Sequence, residues 1–471
     1  MTAEMTAESE CGSAPAGRPG LQAREARLAP ARLAGRLRAP TSKSCAHRLL
    51  MAAALADRPT AVRISDESED IAATAAALEA LGAELHRQNG VFAVMPIGRA
   101  APTGGEAILD CGESGTTLRF LVPIAAALGR AGGVRFVGRG RLPMRPLSPL
   151  SETLQAHGVR LEMPEGQTLP LRLSGRLEPG RYQMAANISS QFVGGLLYAL
   201  SILDGDSELQ LQGPIESAAY TEMTLAVLRR FGAVIDVLAR DERGAGRRYR
   251  IRGQGALKSP GTVEAEGDWS NAAFWLCAGA MGAAGPEGLA VTGLSNATAQ
   301  GDRAVLEILG RFGAEIVEEA GIVQARPPVR GRLHGIEIDA SQCPDLVPAL
   351  AVAAAAAEGP TIFVHAERLR LKESDRIATT AAMLRGLGAD VEERTDGLMV
   401  MGCGSGDAAR PPFPGGRASS AGDHRIAMAA AVAALVAAGP VVLEGPGAVA
   451  KSYPRFWADY ADLGGRAAFF S

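Results

Sequence analysis

Phe312-Gly313-Ala314 closes a stretch of helical spacing and opens one of alternating residues. The same pattern, an apolar residue or His, then Gly, then a small or β-branched residue, recurs at Leu81-Gly82-Ala83, His157-Gly158-Val159, Phe231-Gly232-Ala233, Leu387-Gly388-Ala389 and Leu463-Gly464-Gly465. Successive glycines are 76, 74, 81, 75 and 76 residues apart. Glycine just past a helix takes the left-handed conformation without a Cβ penalty, and the chain turns back as a strand. One such motif is commonplace. Six at near-constant spacing predict six copies of one α/β unit, each larger than the usual solenoid repeat. The long step falls where Gly244, Gly246, Gly253, Gly255, Pro260 and Gly261 cluster, which places a boundary between the third and fourth copies. Two domains of three units each leave a cleft between them, and a function needing closure draws charged residues from both.

A chain of 471 residues with 47% hydrophobic content is globular and long enough for two large cores. The net charge of −3, from 48 basic and 51 acidic side chains, supplies no global field for nucleic acid or an anionic membrane, and aromatics for base stacking amount to 4%. The most apolar runs, Ala349 to Ala357 and Ile426 to Ala438, are shorter than the roughly 18–20 residues that span a bilayer and read as buried helices. Cysteines at 11, 45, 111, 277, 343 and 403 form no CxxC pair and the six histidines no HExxH, so no metal site or disulfide scaffold is indicated and a cytoplasmic location with reduced thiols fits. Residues 1–30, rich in Ala, Gly, Pro and Glu without an apolar signal region, read as a disordered head.

Charge is densest at Arg368 to Arg376, Arg-Leu-Arg-Leu-Lys-Glu-Ser-Asp-Arg, a strand end turning into a helix, whose simplest reading is a solvated helix start with Ser374 as N-cap. Other helix starts carry similar groups. Lys43, Ser44 and Arg48 precede or open the run Leu49 to Ala56, where free N–H groups and two cations make an anion pocket. Gly112-Glu113-Ser114-Gly115-Thr116-Thr117-Leu118-Arg119 opens the helix Phe120 to Leu128 and lets backbone approach a ligand. Ser189-Ser190-Gln191 and Ser217 to Tyr220 place more hydroxyls at helix starts than capping needs. Gly138 to Pro146 is a loop whose arginines, Arg141 and Arg145, grip a carboxylate if they face a cleft. Asp345 precedes an apolar helix, Asp423-His424-Arg425 another, and Gly445 to Ser452 lacks the second glycine of a P-loop.

Taken in order, SKSCAHR at Ser42, GESGTTLRF at Gly112, RLPMRPL at Arg141, SSQF at Ser189, LKESDR at Leu371, DHR at Asp423 and AKSYP at Ala450 resemble the 5-enolpyruvylshikimate-3-phosphate synthases, over about residues 39–460. The resemblance implies an α/β fold of two domains, each of three βαβαββ repeats in an inside-out α/β barrel, with the cleft between them. One domain would span 42–265 and the other would combine 31–41 with 266–471. The implied reaction transfers the enolpyruvyl group of phosphoenolpyruvate to the 5-hydroxyl of shikimate 3-phosphate, releasing phosphate, with no metal or organic cofactor. The family is typically monomeric.

By the same resemblance, Lys43, Ser44, Arg48, Ser189, Ser190, Gln191, Ser217, Asp345 and Lys372 would hold shikimate 3-phosphate, with Tyr220 nearby. Lys43, Gly115, Arg141, Gln191, Arg376, Arg425 and Lys451 would hold phosphoenolpyruvate. Asp345 and Glu373 would be the proton-transfer pair, with Lys43 sharing in proton traffic. Glu113 stands where many relatives carry Asn, Phe120 where they carry Pro, and Arg368 where Asn often touches the shikimate phosphate. Gly115 keeps the small residue whose enlargement to Ala gives glyphosate tolerance in the family, so glyphosate is expected to inhibit. The sister enzymes acting on UDP-N-acetylglucosamine place a reactive Cys in the loop that here runs Arg141 to Arg145 without one. A non-catalytic anion-binding repeat protein gives no reason for Lys, Arg, Asp and Glu to recur at helix starts in both halves.

Overall fold

A computed structural model describes residues 20–98, 105–185, 189–213, 216–238, 246–403 and 411–471. The six repeat glycines, Gly82, Gly158, Gly232, Gly313, Gly388 and Gly464, all have φ between +74° and +107°. Each stands two or three residues past its helix, where a side chain would be strained.

Six four-stranded sheets follow, all with one strand order. In the second repeat, Ala107–Asp110 runs parallel to Val134–Val137, which pairs antiparallel with Leu171–Gly175, itself antiparallel to Val159–Glu162. Helices Gly115–Leu128 and Leu150–Gln155 make the crossovers, as a parallel pair requires, and the closing hairpin needs only a turn. The unit is therefore βαβαββ.

Two sheets exchange their first strand. Arg36–Arg38 lies parallel to Leu289–Thr292, and Thr262–Glu264 lies parallel to Thr60–Arg63, so the chain crosses between the halves twice. The crossing segments are tied together: the Ser42 amide donates to the Glu266 carbonyl and the Asp268 amide to the Pro40 carbonyl, both at 2.8 Å. Gln300 locks the pair by accepting from Ser42 Oγ at 3.2 Å and donating to Glu266 and Gly267 at 2.8 Å.

The expected disordered head is corrected over residues 20–30. Glu25–Ala29 is the third strand of the last sheet, between Val441–Glu444 and Arg466–Phe470. Ala26 and Leu28 are fully buried and Arg27 is exposed, a period-two pattern that overall composition hides. Residues 1–19 and Gly244 lie outside the described residues.

Buried apolar side chains form two clusters. One gathers Cys45 to Ala265; the other joins Ala26 to Ala39 with Trp269 to Leu463. Each fully buried Leu or Phe contributes roughly 1.5–3 kcal/mol. The inner helices are apolar on all sides: Trp269–Ala280 and His424–Leu435 are buried at every position. Small residues allow the closest contacts. A Cβ on Gly195 would lie 2.6 Å from the Arg119 carbonyl oxygen and 2.8 Å from Pro123 Cγ, so Ser190–Ser201 reaches Gly115–Leu128 only with glycine there. Tight packing at this level sets where each helix start points.

Candidate active site

The N-terminal ends of the inner helices of both halves meet at one cavity of about 100 Å³. Their caps are side chains: Ser42, Ser114 and Ser189 from one half, Asp268, Asp375 and Asp423 from the other. Ser374 is not the cap. Asp375 accepts from the Ala378 amide at 3.1 Å, while Ser374 is buried and donates to Asp423 Oδ2 at 3.0 Å. A single 3₁₀ turn, Glu367–Leu371, separates the preceding strand from this helix and swings Lys372 and Glu373 into the cavity. Unpaired amides and aligned dipoles make the convergence favourable for anions.

Asp345 is the hub. The 3₁₀ turn Pro344–Leu346 places it before the helix Val347–Ala355. Its carboxylate meets Arg376 Nη1 at 2.7 Å, Arg425 Nη2 at 3.2 Å, Lys372 Nζ at 3.3 Å and Tyr220 Oη at 3.1 Å. Burial alone would raise its pKa, but Arg425, Lys372 and Arg376 hold it well below the usual carboxylate range. Glu373 meets Arg376 Nη2 at 2.8 Å and Arg145 Nη1 at 3.9 Å. Burial again opposes ionisation, and Arg376, Arg145 and Lys43 overcome it, so this carboxyl too is held well below its ordinary value. Arg376 is clamped further by Asp423 at 2.8 Å. Removing any partner leaves a buried charge uncompensated, at a cost of about 3–5 kcal/mol.

The opposite wall comes from the other half. Lys43 pairs with Asp70 at 2.8 Å. Arg48, 2% exposed, donates to Thr224 Oγ1, the Ser44 carbonyl and the Tyr220 carbonyl at 2.9, 2.7 and 3.1 Å. Gln191 accepts from Arg119 Nη1 and donates to Thr116 Oγ1, both at 2.9 Å. From the Asp345 side, Arg368 reaches this wall, forming an ion pair with Glu216 and donating to Ser217 Oγ at 3.3 Å, and it also donates to the Ser341 carbonyl of its own half at 2.8 Å. Ser44, Ser189, Ser190 and Ser217 line the same space.

Among the expected residues, Gly115 and Lys451 fall outside the lining: Gly115 lies beside Thr116, and Lys451 is bound to Glu113 at 2.7 Å and to the Gly422 carbonyl at 2.6 Å. Arg141 is not brought to the cavity. It caps the 3₁₀ turn Leu142–Met144 and is exposed, whereas Arg145 at the far end of that turn is 6% exposed and lines the cavity, with Nε and Nη1 free of hydrogen bonds. The motif was legible; which of its two arginines turns inward depends on the turn. Arg119 and His424 also line the cavity. Burial, with Lys43 adding repulsion, depresses the His424 imidazole well below its usual range, and neither ring nitrogen has a hydrogen-bond partner.

A larger cavity, about 650 Å³, lies at the opposite ends of the same helices, against Leu55, Leu128 and Ile202. It holds none of the groups just described.

Six repeats of one unit closing on a cavity with two carboxylates inside a ring of Arg and Lys have the enolpyruvyltransferase fold. The enolpyruvyl transferase NikO of Streptomyces tendae shares the fold, with a TM-score of 0.73 at 22% identity over 94% of this chain and 98% of that one. Residues 28–460 match the family model described as EPSP synthase (3-phosphoshikimate 1-carboxyvinyltransferase). The chain is 37% identical over 436 residues to the 3-phosphoshikimate 1-carboxyvinyltransferase of Clostridium kluyveri, covering 93% of this chain and 96% of that protein. For that of Clostridium acetobutylicum the figures are 38% over 441 residues, 93% and 97%. The EPSP synthase of Acinetobacter baumannii gives a TM-score of 0.75 at 28% identity, covering 94% of this chain and 99% of that one. The chain belongs to the EPSP synthase family.

Proposed function

We propose that this cavity carries out enolpyruvyl transfer from phosphoenolpyruvate to shikimate 3-phosphate in aromatic amino-acid biosynthesis. The observation that supports it best is the meeting of Lys43, Arg48 and Arg145 from one half with Lys372, Arg376 and Arg425 from the other around Asp345 and Glu373. Two polyanionic substrates require such a ring of cations.

Shikimate 3-phosphate lies against Ser44, Arg48, Ser189, Ser190 and Ser217, with Lys43, Gln191, Lys372 and Asp345 at its ring. Phosphoenolpyruvate lies against Lys43, Gly115, Gln191, Arg145, Arg376, Arg425 and Lys451, Arg145 taking the place first given to Arg141. Asp345, held ionised, accepts the proton of the 5-hydroxyl as that oxygen attacks C2 of phosphoenolpyruvate. Glu373 delivers a proton to the methylene carbon. Its pKa is low because Arg376, Arg145 and Lys43 face it; substrate anions on these cations weaken that hold and raise the carboxyl toward a value at which it carries a proton. Return of a methyl proton to Glu373 and passage of the Asp345 proton to the departing phosphate oxygen expel phosphate from the tetrahedral adduct and restore both carboxyl groups. The two core clusters are the two domains. A cavity of about 100 Å³ is below the roughly 300–1,000 Å³ of small-molecule sites, so the domains part to admit substrate.

The enzyme acts as a cytoplasmic monomer, and glyphosate inhibits it in competition with phosphoenolpyruvate. Among the described residues no helix is long and apolar enough to cross a membrane. The test is phosphate release in the presence of both substrates. Asp345→Asn and Glu373→Gln are each expected to lower kcat about 10²–10⁴-fold, and near-normal turnover in both overturns the acid/base assignment.

A further inference from the structure

Lys372, Arg376 and Arg425 pair with Asp345 inside the cavity, but Lys451 pairs outside its lining. Its partner is Glu113, 338 residues away in the opposite half, with Nζ to Oε2 at 2.7 Å. The pair is partly buried, the two side chains being 13% and 27% exposed. Lys451 is also held by the carbonyl of Gly422, next to Asp423 and three residues from Arg425. Glu113 precedes Ser114, the cap of the helix that begins with Gly115. The ion pair therefore bridges the cleft at the rim of the cavity.

The seat of Glu113 is shaped for it. Gly140, at φ +61°, lies so close that a Cβ there would overlap the Glu113 carboxylate. Arg145 offers a contrast on the same side: two of its guanidinium nitrogens have no hydrogen-bond partner. One cation of the candidate phosphoenolpyruvate subsite thus keeps donors free of hydrogen bonds, its Glu373 contact being a loose 3.9 Å, while another is held at hydrogen-bond distance by a carboxylate.

We infer that Glu113 is an internal counter-anion that competes with the phosphoryl group of phosphoenolpyruvate for Lys451 and thereby sets the enzyme's apparent affinity for that substrate. The inference rests on the assignment of Lys451 to phosphoenolpyruvate. An ammonium group already bonded to a carboxylate and a carbonyl has one N–H left. A phosphate dianion entering at Lys451 meets the Glu113 carboxylate at contact distance, where like charges repel. Binding therefore requires the carboxylate to leave, and the cross-cleft tie breaks as it does. Glutamine keeps the shape of Glu113 and removes only the charge. It binds the ammonium more weakly and does not repel phosphate.

The experiment measures kcat and both KM values for the full-length enzyme, E113Q, K451M and the double variant, with thermal melts as the folding control. E113Q is expected to lower KM for phosphoenolpyruvate by about fivefold to thirtyfold, the yield of a partly buried ion pair, and to leave KM for shikimate 3-phosphate within about twofold. K451M is expected to raise KM for phosphoenolpyruvate about tenfold or more, and E113Q to have no effect in the K451M background, because it acts through that lysine. An unchanged or raised KM for phosphoenolpyruvate in E113Q overturns the inference, the latter showing that Glu113 positions Lys451 for substrate. A benefit of E113Q that persists without Lys451 overturns it as well. If K451M alone leaves that KM unaltered, the placing of phosphoenolpyruvate at Lys451 fails first, whatever E113Q does.

Discussion

Substituting Gly115 by Ala tests the site where the geometry is tightest. A Cβ on Gly115 would lie 2.5, 2.9 and 3.0 Å from Nη1, Cζ and Nη2 of Arg145, all shorter than an ordinary carbon contact of about 3.5 Å. The obstacle is the end of a flexible side chain, so the guanidinium retreats by about 1 Å and the backbone stays. Alanine is a better helix former than glycine, and Gly115, the first residue of its helix, is not among the positive-φ glycines. The melting temperature is therefore expected to stay within a few degrees. On the proposed assignment, displacing Arg145 removes a charge-assisted hydrogen bond to phosphoenolpyruvate, roughly 1.5–3 kcal/mol, which corresponds to about a 10- to 150-fold rise in KM for that substrate. Initial rates of phosphate release across phosphoenolpyruvate concentrations, at saturating shikimate 3-phosphate, read this directly. Glyphosate inhibition is expected to weaken by at least the same factor. A variant whose kcat falls while KM for phosphoenolpyruvate stays constant would refute the reasoning, because Arg145 would then not be a ground-state contact of that substrate.

Arg145→Ala is expected to cost 100-fold or more in kcat/KM for phosphoenolpyruvate, about 3 kcal/mol, whereas exposed Arg141→Ala stays within about threefold; equal losses would put both in the site. Arg48→Lys cannot reproduce three hydrogen bonds from a rigid fork, so it is expected to lower unfolding stability by about 1–3 kcal/mol in urea and to raise KM for shikimate 3-phosphate. Asp302, fully buried beside Ser270, has its carboxyl pushed up to about 6 by burial, with Asp345 adding repulsion. A raised carboxyl pKa means the folded state holds its proton more tightly, so stability is lost as pH rises from about 4 to about 6. Asp302→Asn removes that dependence and is expected to be the more stable form at pH 7.5 by about 2–3 kcal/mol; a wild-type chain no less stable at pH 7.5 than at pH 5, relative to the variant, speaks against it.

Local rules made much of this protein legible. The six glycines needed only the physics of a helix end, and their left-handed φ values follow from it. Helix starts rich in Ser, Asp, Lys and Arg could be found because capping and the helix dipole act within one turn, and Asp345, Glu373, Lys372, Arg376 and Arg425 come from such starts. What local rules missed depended on partners far away in sequence. Glu25–Ala29 becomes a strand because two strands more than 400 residues later flank it. Arg36–Arg38 and Thr262–Glu264 exchange sheets through pairings no periodicity encodes.

By itself, then, the sequence determined the repeating unit, the helix starts and the ionisable groups they carry, since each depends on forces between near neighbours. Tertiary structure alone decided that Arg145 rather than Arg141 faces the cavity, and that Lys451 meets Glu113 across 338 residues. Direction and pairing at that range are set by how the two cores pack against each other, where a displacement of an ångström makes or breaks an ion pair.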